Sequence, residues 1–299
     1  MTPSPQHGSP SGDAIIAIRK VARQTGADVQ QLMTLYALEG LLTRIALSEY
    51  REDFVLKGGV LLAAFAARRP TKDIDLQATR LDGNPDEVAE RVRDIAALHV
   101  DDGLVFDPES VTATTIRDDD EYAGVRVKLV AMLGTARLTI GMDINFGDPI
   151  WPAPQLIDLP RVMNLGLPPV KLLGYPLSMV LAGKIITAID RGLSNTRWRD
   201  FADVYTLTQL HAVQADTLRA SLDAVAEYRK VPLTPLLPAL TPMKERSQRK
   251  YQAWRIRSSR EDELPEDFAD VLAAVANFSD PTLSTTATGE WNPRLQTWT

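Results

Sequence analysis

The segment from Phe54 to Leu76 constrains the fold of this chain more than any other. A short apolar run is followed by Lys57-Gly58-Gly59, then by small and aliphatic residues over Val60–Ala67, and finally by Asp73-Ile74-Asp75-Leu76. Apolar runs bounded by glycines favour strands and turns, and the stretch after the glycines has helical character. The pattern predicts a strand, a Gly-Gly turn, a helix, a loop and a second strand.

The D-x-D motif at the end of this segment indicates metal and phosphate chemistry. On a strand, Asp73 and Asp75 point to the same face. Two neighbouring carboxylates repel each other unless a divalent cation binds between them, as when enzymes hold Mg²⁺ against a nucleotide's phosphates. Glycines let the backbone approach a phosphate, and a following helix N-terminus favours its negative charge. A surface hairpin with two solvated aspartates is the alternative. The order of elements is similar to that of the polymerase-beta-like nucleotidyltransferase fold.

Composition limits the ligands and the compartment. The chain has 299 residues, no cysteine, and three histidines without metal-ligand spacing. A metal would therefore be bound by oxygen atoms, which indicates Mg²⁺ or Mn²⁺. No apolar stretch is long enough to span a membrane and no signal peptide is recognisable, so we expect a cytoplasmic protein with no membrane partner. A net charge of −6 means that any nucleic acid must meet a local basic patch.

The chain divides into two predicted domains with a tail at each end. Residues 1–12 are expected to be disordered, and residues 13–164 combine helices from Ala14 onward with an antiparallel three-strand meander over residues 104–146. Six prolines between residues 149 and 169 predict a linker, residues 165–280 are predicted to be helical, and residues 281–299 to be a mobile tail. The fold class is α+β, a mixed or antiparallel sheet with a helical C-terminal lobe.

Asp143 is a candidate third metal ligand. It lies among apolar residues of the last meander strand, where a carboxylate is costly unless it has a partner. If that strand lies beside the D-x-D strand, Asp143 completes a three-carboxylate site. The alternative is a solvent-facing aspartate at a strand edge.

A second charged constellation lies on two later helices. Lys184 and Arg191 are seven residues apart and share a helix face, and Arg199, Asp200 and Asp203 open the next helix. Structural salt bridges between the helices are one interpretation. For Lys184 we favour a phosphate contact, because a nucleotidyltransferase needs a cation to neutralise the triphosphate.

A basic run near the C-terminus is a candidate RNA-binding surface. Tyr251 and Trp254 within it are available for packing or base stacking, and a solvated helix face is the alternative interpretation. The candidate RNA-binding residues are Lys244, Arg246, Arg249, Lys250, Arg255 and Arg257.

Thr71 is a candidate phosphorylation site. It lies two residues before Asp73, beside Lys72, in the loop that leads to the D-x-D strand. A phosphate there would add close to two negative charges next to two carboxylates, and would occupy space that a triphosphate needs. The alternative is a plain loop threonine.

These motifs together resemble the AbiEii family of bacterial nucleotidyltransferase toxins, which includes the MenT-type proteins. The similarity covers roughly residues 30–210, from Leu56-Lys57-Gly58-Gly59 and the D-x-D motif to K-x6-R and R-D-x-x-D. It implies a nucleotidyltransferase lobe, a helical lobe, a nucleotide between them and a cognate antitoxin. Some members add nucleotides, often pyrimidines, to tRNA 3′ ends and thereby stop aminoacylation. Val60 replaces the usual hydroxyl residue, so the amides of Gly58 and Gly59 would bind the phosphate.

The resemblance also implies a role for each motif residue. The metal, Mg²⁺ or Mn²⁺, would be held by Asp73, Asp75 and Asp143, and the other catalytic residues would be Lys184, Asp200 and Asp203. A nucleoside triphosphate, CTP or another pyrimidine nucleotide, would be bound by Lys57, Gly58, Gly59, Lys72, Lys184, Arg191 and Arg199. The expected acceptor is the tRNA 3′ end. Two alternatives remain: modification of a protein or small-molecule hydroxyl, which an isoelectric point of about 5.2 keeps open, and a nucleotide-binding module without turnover.

Overall fold

The computed structural model describes residues 7–69, 71–116, 124–192, 198–240 and 242–299. The chain forms two compact units. The first comprises residues 1–64, 68–147 and 155–174, and the second comprises residues 65–67, 148–154 and 175–299. Residues 1–6 of the expected N-terminal tail lie outside the described residues, and so does the side chain of Lys244.

The first unit is built on a seven-stranded mixed sheet with strand order β3-β4-β5-β2-β1-β7-β6. Its strands are β1 (Phe54–Lys57), β2 (Asp73–Ala78), β3 (Leu104–Ile116), β4 (Gly124–Leu133), β5 (Ala136–Phe146), β6 (Gln155–Leu159) and β7 (Val170–Gly174). Its helices are α1 (Pro10–Thr25), α2 (Val29–Leu47), α3 (Gly58–Leu61) and α4 (Pro85–Ala97).

Helix α1 begins at Pro10 and not at Ala14, inside the segment that was expected to be disordered. The hydroxyl of Ser9 accepts a hydrogen bond from the backbone N–H of Gly12 at 3.2 Å and so caps the helix. Proline at the first helical position costs no hydrogen bond, because that N–H has no intrahelical partner. Ser9-Pro10 is therefore a helix start.

The predicted meander is present, and it joins the D-x-D strand. Strands β3, β4 and β5 pair antiparallel in chain order, β5 pairs parallel with β2, and β2 pairs antiparallel with β1. The predicted neighbourhood of the Asp143 strand and the D-x-D strand is thus confirmed. The sheet has an apolar face, on which Val127, Leu129 and Met142 are buried and against which α2 packs. The opposite face carries the polar side chains of the same strands.

The proline-rich stretch is not a simple linker. Strands β6 and β7 form between its prolines, pair antiparallel with each other, and extend the sheet through a parallel contact of β7 with β1. The first unit therefore continues to Gly174 and not to residue 164. Prolines cannot donate to a strand ladder, and here they lie outside both strands, which is why proline density was misleading.

The second unit is mainly helical. Its helices are α5 (Leu177–Arg191), α6 (Trp198–Leu210), α7 (Ala215–Arg229), α8 (Leu237–Leu240), α9 (Met243–Arg257) and α10 (Phe268–Leu283). A small three-stranded sheet consists of β8 (Val213–Gln214), β9 (Glu290–Asn292) and β10 (Thr297–Trp298). None of the helices within the described ranges combines the length and apolar character that a bilayer span requires.

The C-terminal segment is docked, which corrects the expectation of a mobile tail over residues 281–299. Trp291 is fully buried, and its indole N–H donates to the carbonyl of Thr208 at 2.8 Å. The rings of Trp291 and Trp298 pack on Phe278 with centroid distances of 5.0 and 5.3 Å. Packing of these two aromatic side chains, Trp291 fully and Trp298 partly buried, offsets the entropy of ordering a Ser/Thr-rich segment.

Candidate active site

The two carboxylates of the D-x-D motif lie on the polar face of β2, as the alternation predicts. Asp73 is exposed and Asp75 is partly buried, while Ile74 and Leu76 between and after them are buried on the opposite face. Strand geometry alone therefore brings the two carboxylates together.

Two glycines make room for these side chains. A Cβ atom at Gly58 would lie 1.9 Å from Asp75 Oδ2, and one at Gly141 would lie 2.1 Å from Asp73 Oδ1. Gly58 also adopts φ +68°, a conformation that favours glycine. The backbone N–H of Gly59 donates to Asp75 Oδ2 at 3.4 Å. Gly141 is a part of the site that sequence reasoning missed, because its importance depends on which strand lies beside β2.

The helix after the Gly-Gly turn is shorter than expected. The predicted Val60–Ala67 helix is a single α-helical turn, α3, followed by a 3₁₀ turn over Leu62–Phe65. Ala66 ends it by adopting φ +55°. A four-residue helix supplies little aligned dipole, so phosphate binding at this turn would depend on individual backbone amides.

One row of charged residues crosses four strands on the polar face. In register, Lys57 on β1 lies opposite Asp75, Asp75 lies beside Asp143 on β5, and Asp143 lies opposite Arg126 on β4. The row therefore alternates as cation, carboxylate, carboxylate, cation. Lys57 was predicted to belong to the site, whereas Arg126 was not.

Arg126 binds both carboxylate oxygens of Asp143. Its Nε donates to Oδ1 and its terminal Nη2 donates to Oδ2, each at 2.7 Å. A bidentate arginine–carboxylate pair is among the stronger and more directional hydrogen-bonding arrangements. The Asp143 side chain is 21% exposed and that of Arg126 is 51% exposed, so the pair lies at the surface of the polar face.

The oxygen donors at this site fit a hard divalent cation. Asp73 and Asp75 share a face, and the glycines leave their carboxylates uncrowded. A carboxylate has about four acceptor sites, so the two bonds from Arg126 leave Asp143 with acceptor capacity. Within the described part of the chain, no group of three or more His, Cys, Asp and Glu side chains is gathered in metal-binding geometry. The three-carboxylate set stays a prediction.

Burial raises the pKa of the Asp75 carboxyl. The positive charge of Lys57, the hydrogen bond from the Gly59 N–H and the charge of Arg69 act in the opposite direction, while Asp143 adds to the increase. Ionisation of Asp75 therefore costs free energy when no metal ion is bound beside it. A cation at this position would remove part of that cost.

The loop before β2 lies over the Gly-Gly turn. A Cβ atom at Gly59 would lie 3.1 Å from the hydroxyl oxygen of Thr71 and 3.2 Å from a guanidinium nitrogen of Arg69. The Thr71 hydroxyl donates to the backbone carbonyl of Asp73 at 3.2 Å. Lys72, a predicted nucleotide-binding residue, is exposed. Thr71 therefore lies between the two motifs that are expected to bind phosphate and metal.

Replacement of Thr71 by Glu is expected to eliminate nucleotide transfer without unfolding the protein, because a carboxylate at this position would oppose an anionic triphosphate. Thr71→Val should keep much of the transfer. Thr79 is an exposed threonine just after β2, and Thr79→Glu is the matched control. Transfer by Thr71→Glu at the rate of Thr79→Glu would contradict the prediction. Regulation by phosphorylation of Thr71 requires in addition that intact-mass analysis, after co-expression with the expected cognate antitoxin, shows a phosphate on this loop.

Lys184 in the second unit lies in a buried charge cluster. Its Nζ donates to Asp200 Oδ1 at 3.0 Å and to Asp203 Oδ2 at 2.7 Å. The structure thus brings together the cation and the two carboxylates that sequence spacing placed on facing helices. Arg191 and Arg199, the other predicted nucleotide-binding residues of this region, are exposed. Whether Lys184 also contacts a phosphate stays a prediction.

Arg260 is an unpredicted member of this cluster. Only 5% of its side chain is exposed, and its guanidinium lies 3.9 Å from Asp203 Oδ1. It also donates to Glu263 at 2.8 Å and to the hydroxyl of Thr206 at 2.9 Å. In the sequence Arg260 is the last cation of the basic run, but in the structure it is the second buried cation beside Asp203.

The basic run divides into an exposed stripe and inward-facing residues. Tyr251 and Trp254 are buried, so they pack inside the unit and do not face solvent. Arg255 is partly buried and donates to the backbone carbonyls of Leu264 and Glu261, at 2.9 and 2.5 Å. The exposed members lie on one face of α9 at helical spacing: Arg246, Arg249, Lys250 and Arg257.

Comparison with known proteins identifies the family. The family model described as "Nucleotidyl transferase AbiEii toxin, Type IV TA system" matches residues 40–274. The chain belongs to the AbiEii nucleotidyltransferase toxin family. Membership supports transferase activity and implies a cognate antitoxin for this AbiEii protein. The sequence-based resemblance is thereby confirmed, as is the α+β fold class. No curated protein matches the chain.

Two bacterial proteins of known structure are similar to the chain. MenT4, a nucleotidyltransferase toxin from Mycobacterium tuberculosis H37Rv, is 17% identical, with a TM-score of 0.51 over 90% of this chain and 98% of that one. JHP933 from Helicobacter pylori is 14% identical, with a TM-score of 0.48 over 86% and 94% of the two chains. At 17% identity, the likeness to MenT4 is one of fold.

Proposed function

We propose that this AbiEii protein transfers a nucleotide from a nucleoside triphosphate to an RNA acceptor, the tRNA 3′ end, and so blocks translation. The proposal is supported above all by the polar face of β2, where Asp73 and Asp75 share one side and Gly58 and Gly141 keep their carboxylates uncrowded. A protein that only bound nucleotides would have no need of paired carboxylates. CTP or another pyrimidine nucleotide is the proposed donor.

In this proposal each side chain positions or neutralises one part of the donor. Asp73 and Asp75 hold Mg²⁺ or Mn²⁺, with Asp143 as the third carboxylate beside them. When bound, the divalent cation neutralises the triphosphate and polarises its phosphoryl oxygens. Amides of the Gly-Gly turn contact the phosphates, and Lys184 neutralises the charge that shifts to pyrophosphate. The remaining proposed contacts to the nucleotide or its phosphates are Lys57, Lys72, Arg191 and Arg199.

The reaction is a single displacement. The acceptor hydroxyl attacks the α-phosphorus in line, the new P–O bond forms as the bond to the β-phosphate oxygen breaks, and pyrophosphate leaves with the bonding electrons. The hydroxyl proton passes to a base beside the acceptor, and we propose Asp143 for that contact. Asp200 and Asp203 keep the ammonium of Lys184 oriented through their ion pairs.

The direct test is transfer of label. The protein is incubated with each of the four α-³²P nucleoside triphosphates, Mg²⁺ and total bacterial RNA, and the products are separated on a denaturing gel. We expect label in the tRNA band, removed by mild 3′ exonuclease treatment. Small-molecule acceptors are included in a parallel reaction. Label on protein or on a small molecule, with none on RNA, would identify the alternative hydroxyl substrate and contradict the RNA acceptor.

The exposed stripe on α9 is the proposed surface for the body of the acceptor. Changing Arg249 and Lys250 together to Glu should weaken tRNA binding by at least about tenfold and flatten its salt dependence, because two phosphate contacts are lost. Binding of the nucleoside triphosphate should not change. Fluorescence anisotropy with labelled tRNA at several salt concentrations measures both quantities.

A matched control is available on α1, where Lys20 and Arg23 are also exposed on one helix. Lys20→Glu with Arg23→Glu changes the net charge of the protein by the same amount. If both double variants lose the same tRNA affinity, the effect is general electrostatics and the α9 stripe is not a specific site.

A further inference from the structure

The polar face of β4 carries two exposed cations next to the carboxylates. Arg126 and Lys128 alternate with the buried Val127 and Leu129, so both point away from the core. Arg126 lies opposite Asp143, and Lys128 lies opposite Gly141 on β5. Because Gly141 has no side chain, the Asp73 carboxylate extends over it, on the side of β2 that faces the strand of Lys128.

This face continues onto β3 with two hydroxyl groups. Thr112 pairs with Lys128 and Thr114 pairs with Arg126, and both threonines are exposed. The next row brings an acidic residue, since Asp107 pairs with Val130. Among the described residues of β3 and β4, the two cations thus lie in the rows next to the carboxylates, and Asp107 lies further along the face. Two cations and two hydroxyls form a suitable surface for phosphates.

Sheet order places this face on one particular side of the D-x-D motif. The Gly-Gly turn follows β1, on one side of β2, whereas β5 and then β4 lie on the other side. If the donor phosphates lie at the Gly-Gly turn, in-line displacement requires the acceptor hydroxyl on the opposite side of the α-phosphate. Neighbouring strands are about 4.8 Å apart, so β4 lies roughly 10 Å from β2. That is within reach of the acceptor's terminal nucleotides.

We propose that Arg126 and Lys128, assisted by Thr112 and Thr114, bind the phosphates of the last nucleotides of the acceptor RNA strand. The inference depends on the proposed function, because it assumes a nucleotide donor at the Gly-Gly turn. Asp143 is then also a positioning residue, since its two hydrogen bonds orient the guanidinium of Arg126. A planar guanidinium fixed in this way matches the geometry of a phosphate.

The test compares two exposed strand lysines of the same sheet. Lys128→Gln removes the cation on β4, and Lys171→Gln removes one on β7, where Lys171 lies 3.6 Å from Asp158. We expect Lys128→Gln to raise the KM for tRNA and the Kd for labelled tRNA about fivefold, and to reduce the salt slope by about 0.7. The KM for the nucleoside triphosphate should stay within twofold, and Lys171→Gln should resemble wild type.

A crosslinking experiment locates the contact. tRNA with 4-thiouridine at the second position from its 3′ end should crosslink within Gly124–Leu133 in the wild-type protein. Equal tRNA affinity of the Lys128 and Lys171 variants, or crosslinks only outside β3 and β4, would overturn the inference. A rise in the KM for the nucleotide alone would show that the face binds donor phosphates and would likewise overturn it. If wild type labels no RNA, the proposed function fails first, and the two failures are therefore distinguishable.

Discussion

Replacement of Asp75 by Asn is expected to abolish nucleotide transfer and to raise the melting temperature of the metal-free protein. Transfer should fall by at least about 10³-fold, equivalent to roughly 4 kcal/mol of transition-state stabilisation, because the variant lacks a charged metal ligand. Stability should increase because Asp75 is desolvated and lies beside Asp143, and both effects oppose its ionised form. Activity and stability thus change in opposite directions, which loss of folding could not produce.

Asp73 supplies the internal control. It belongs to the same motif, but it is exposed, so Asp73→Asn should lose transfer to a similar extent with little change in melting temperature. Thermal unfolding in EDTA and transfer in Mg²⁺ measure the two quantities on the same preparations. A variant of either residue that transfers nucleotide near the wild-type rate would overturn the assignment of the D-x-D motif.

The pH dependence of stability has a definite sign. Burial raises the pKa of Asp75 in the folded protein, so the native state keeps this proton to higher pH than the unfolded chain does. The unfolded state therefore binds fewer protons between the two pKa values, and stability decreases as pH rises through that window. Asp75→Asn removes this contribution. The difference in melting temperature between wild type and Asp75→Asn should accordingly increase as the pH rises above the ordinary pKa of an aspartate carboxyl.

Local patterns predicted the centre of the site well. Alternation placed Asp73 and Asp75 on one face, and a carboxylate within an apolar strand indicated that Asp143 had a partner. The partner is Arg126, which sequence reasoning did not find. Arg126 lies opposite Asp143 because β4 and β5 form a hairpin through the two-residue turn Gly134-Thr135, and the turn length fixes the register of a hairpin. That local signal was available in the sequence, whereas the parallel pairing of β5 with β2, which places Gly141 beside Asp73, depends on the whole sheet.

The errors at the edges of the domains have a common cause. Low hydrophobic periodicity was interpreted as absence of structure, at the N-terminus, in the proline-rich stretch and over residues 281–299. In each case a few residues are sufficient to order the segment: a Ser9 cap, two short strands between prolines, or Trp291 buried beside Phe278. Tertiary contacts outweighed composition there. Arg260 illustrates the same limit, since a basic run does not reveal which cation is buried.

Replacement of Lys184 by Met should lower both stability and turnover, and the two losses can be separated. The substitution leaves two buried carboxylates, and among the described residues Arg260 lies near one of them, Asp203. Breaking a buried pair on one side costs about 3–5 kcal/mol, since an uncompensated charge stays behind. Loss of one charge-stabilising donor should slow transfer by roughly 10²-fold at saturating nucleotide. A melting temperature alone cannot distinguish a structural from a functional lysine.

The double variant Lys184→Met with Asp200→Asn decides between these roles. It removes one charge of each sign and keeps the ion pair of Asp203 with Arg260, so most of the lost stability should return. Asp200→Asn alone, in which Lys184 keeps its 2.7 Å contact with Asp203, measures the contribution of the carboxylate. If Lys184 neutralises the triphosphate, the double variant is stable yet still about 10²-fold slower than Asp200→Asn. If turnover returns together with stability, Lys184 is a structural ion pair and the proposed phosphate contact is wrong.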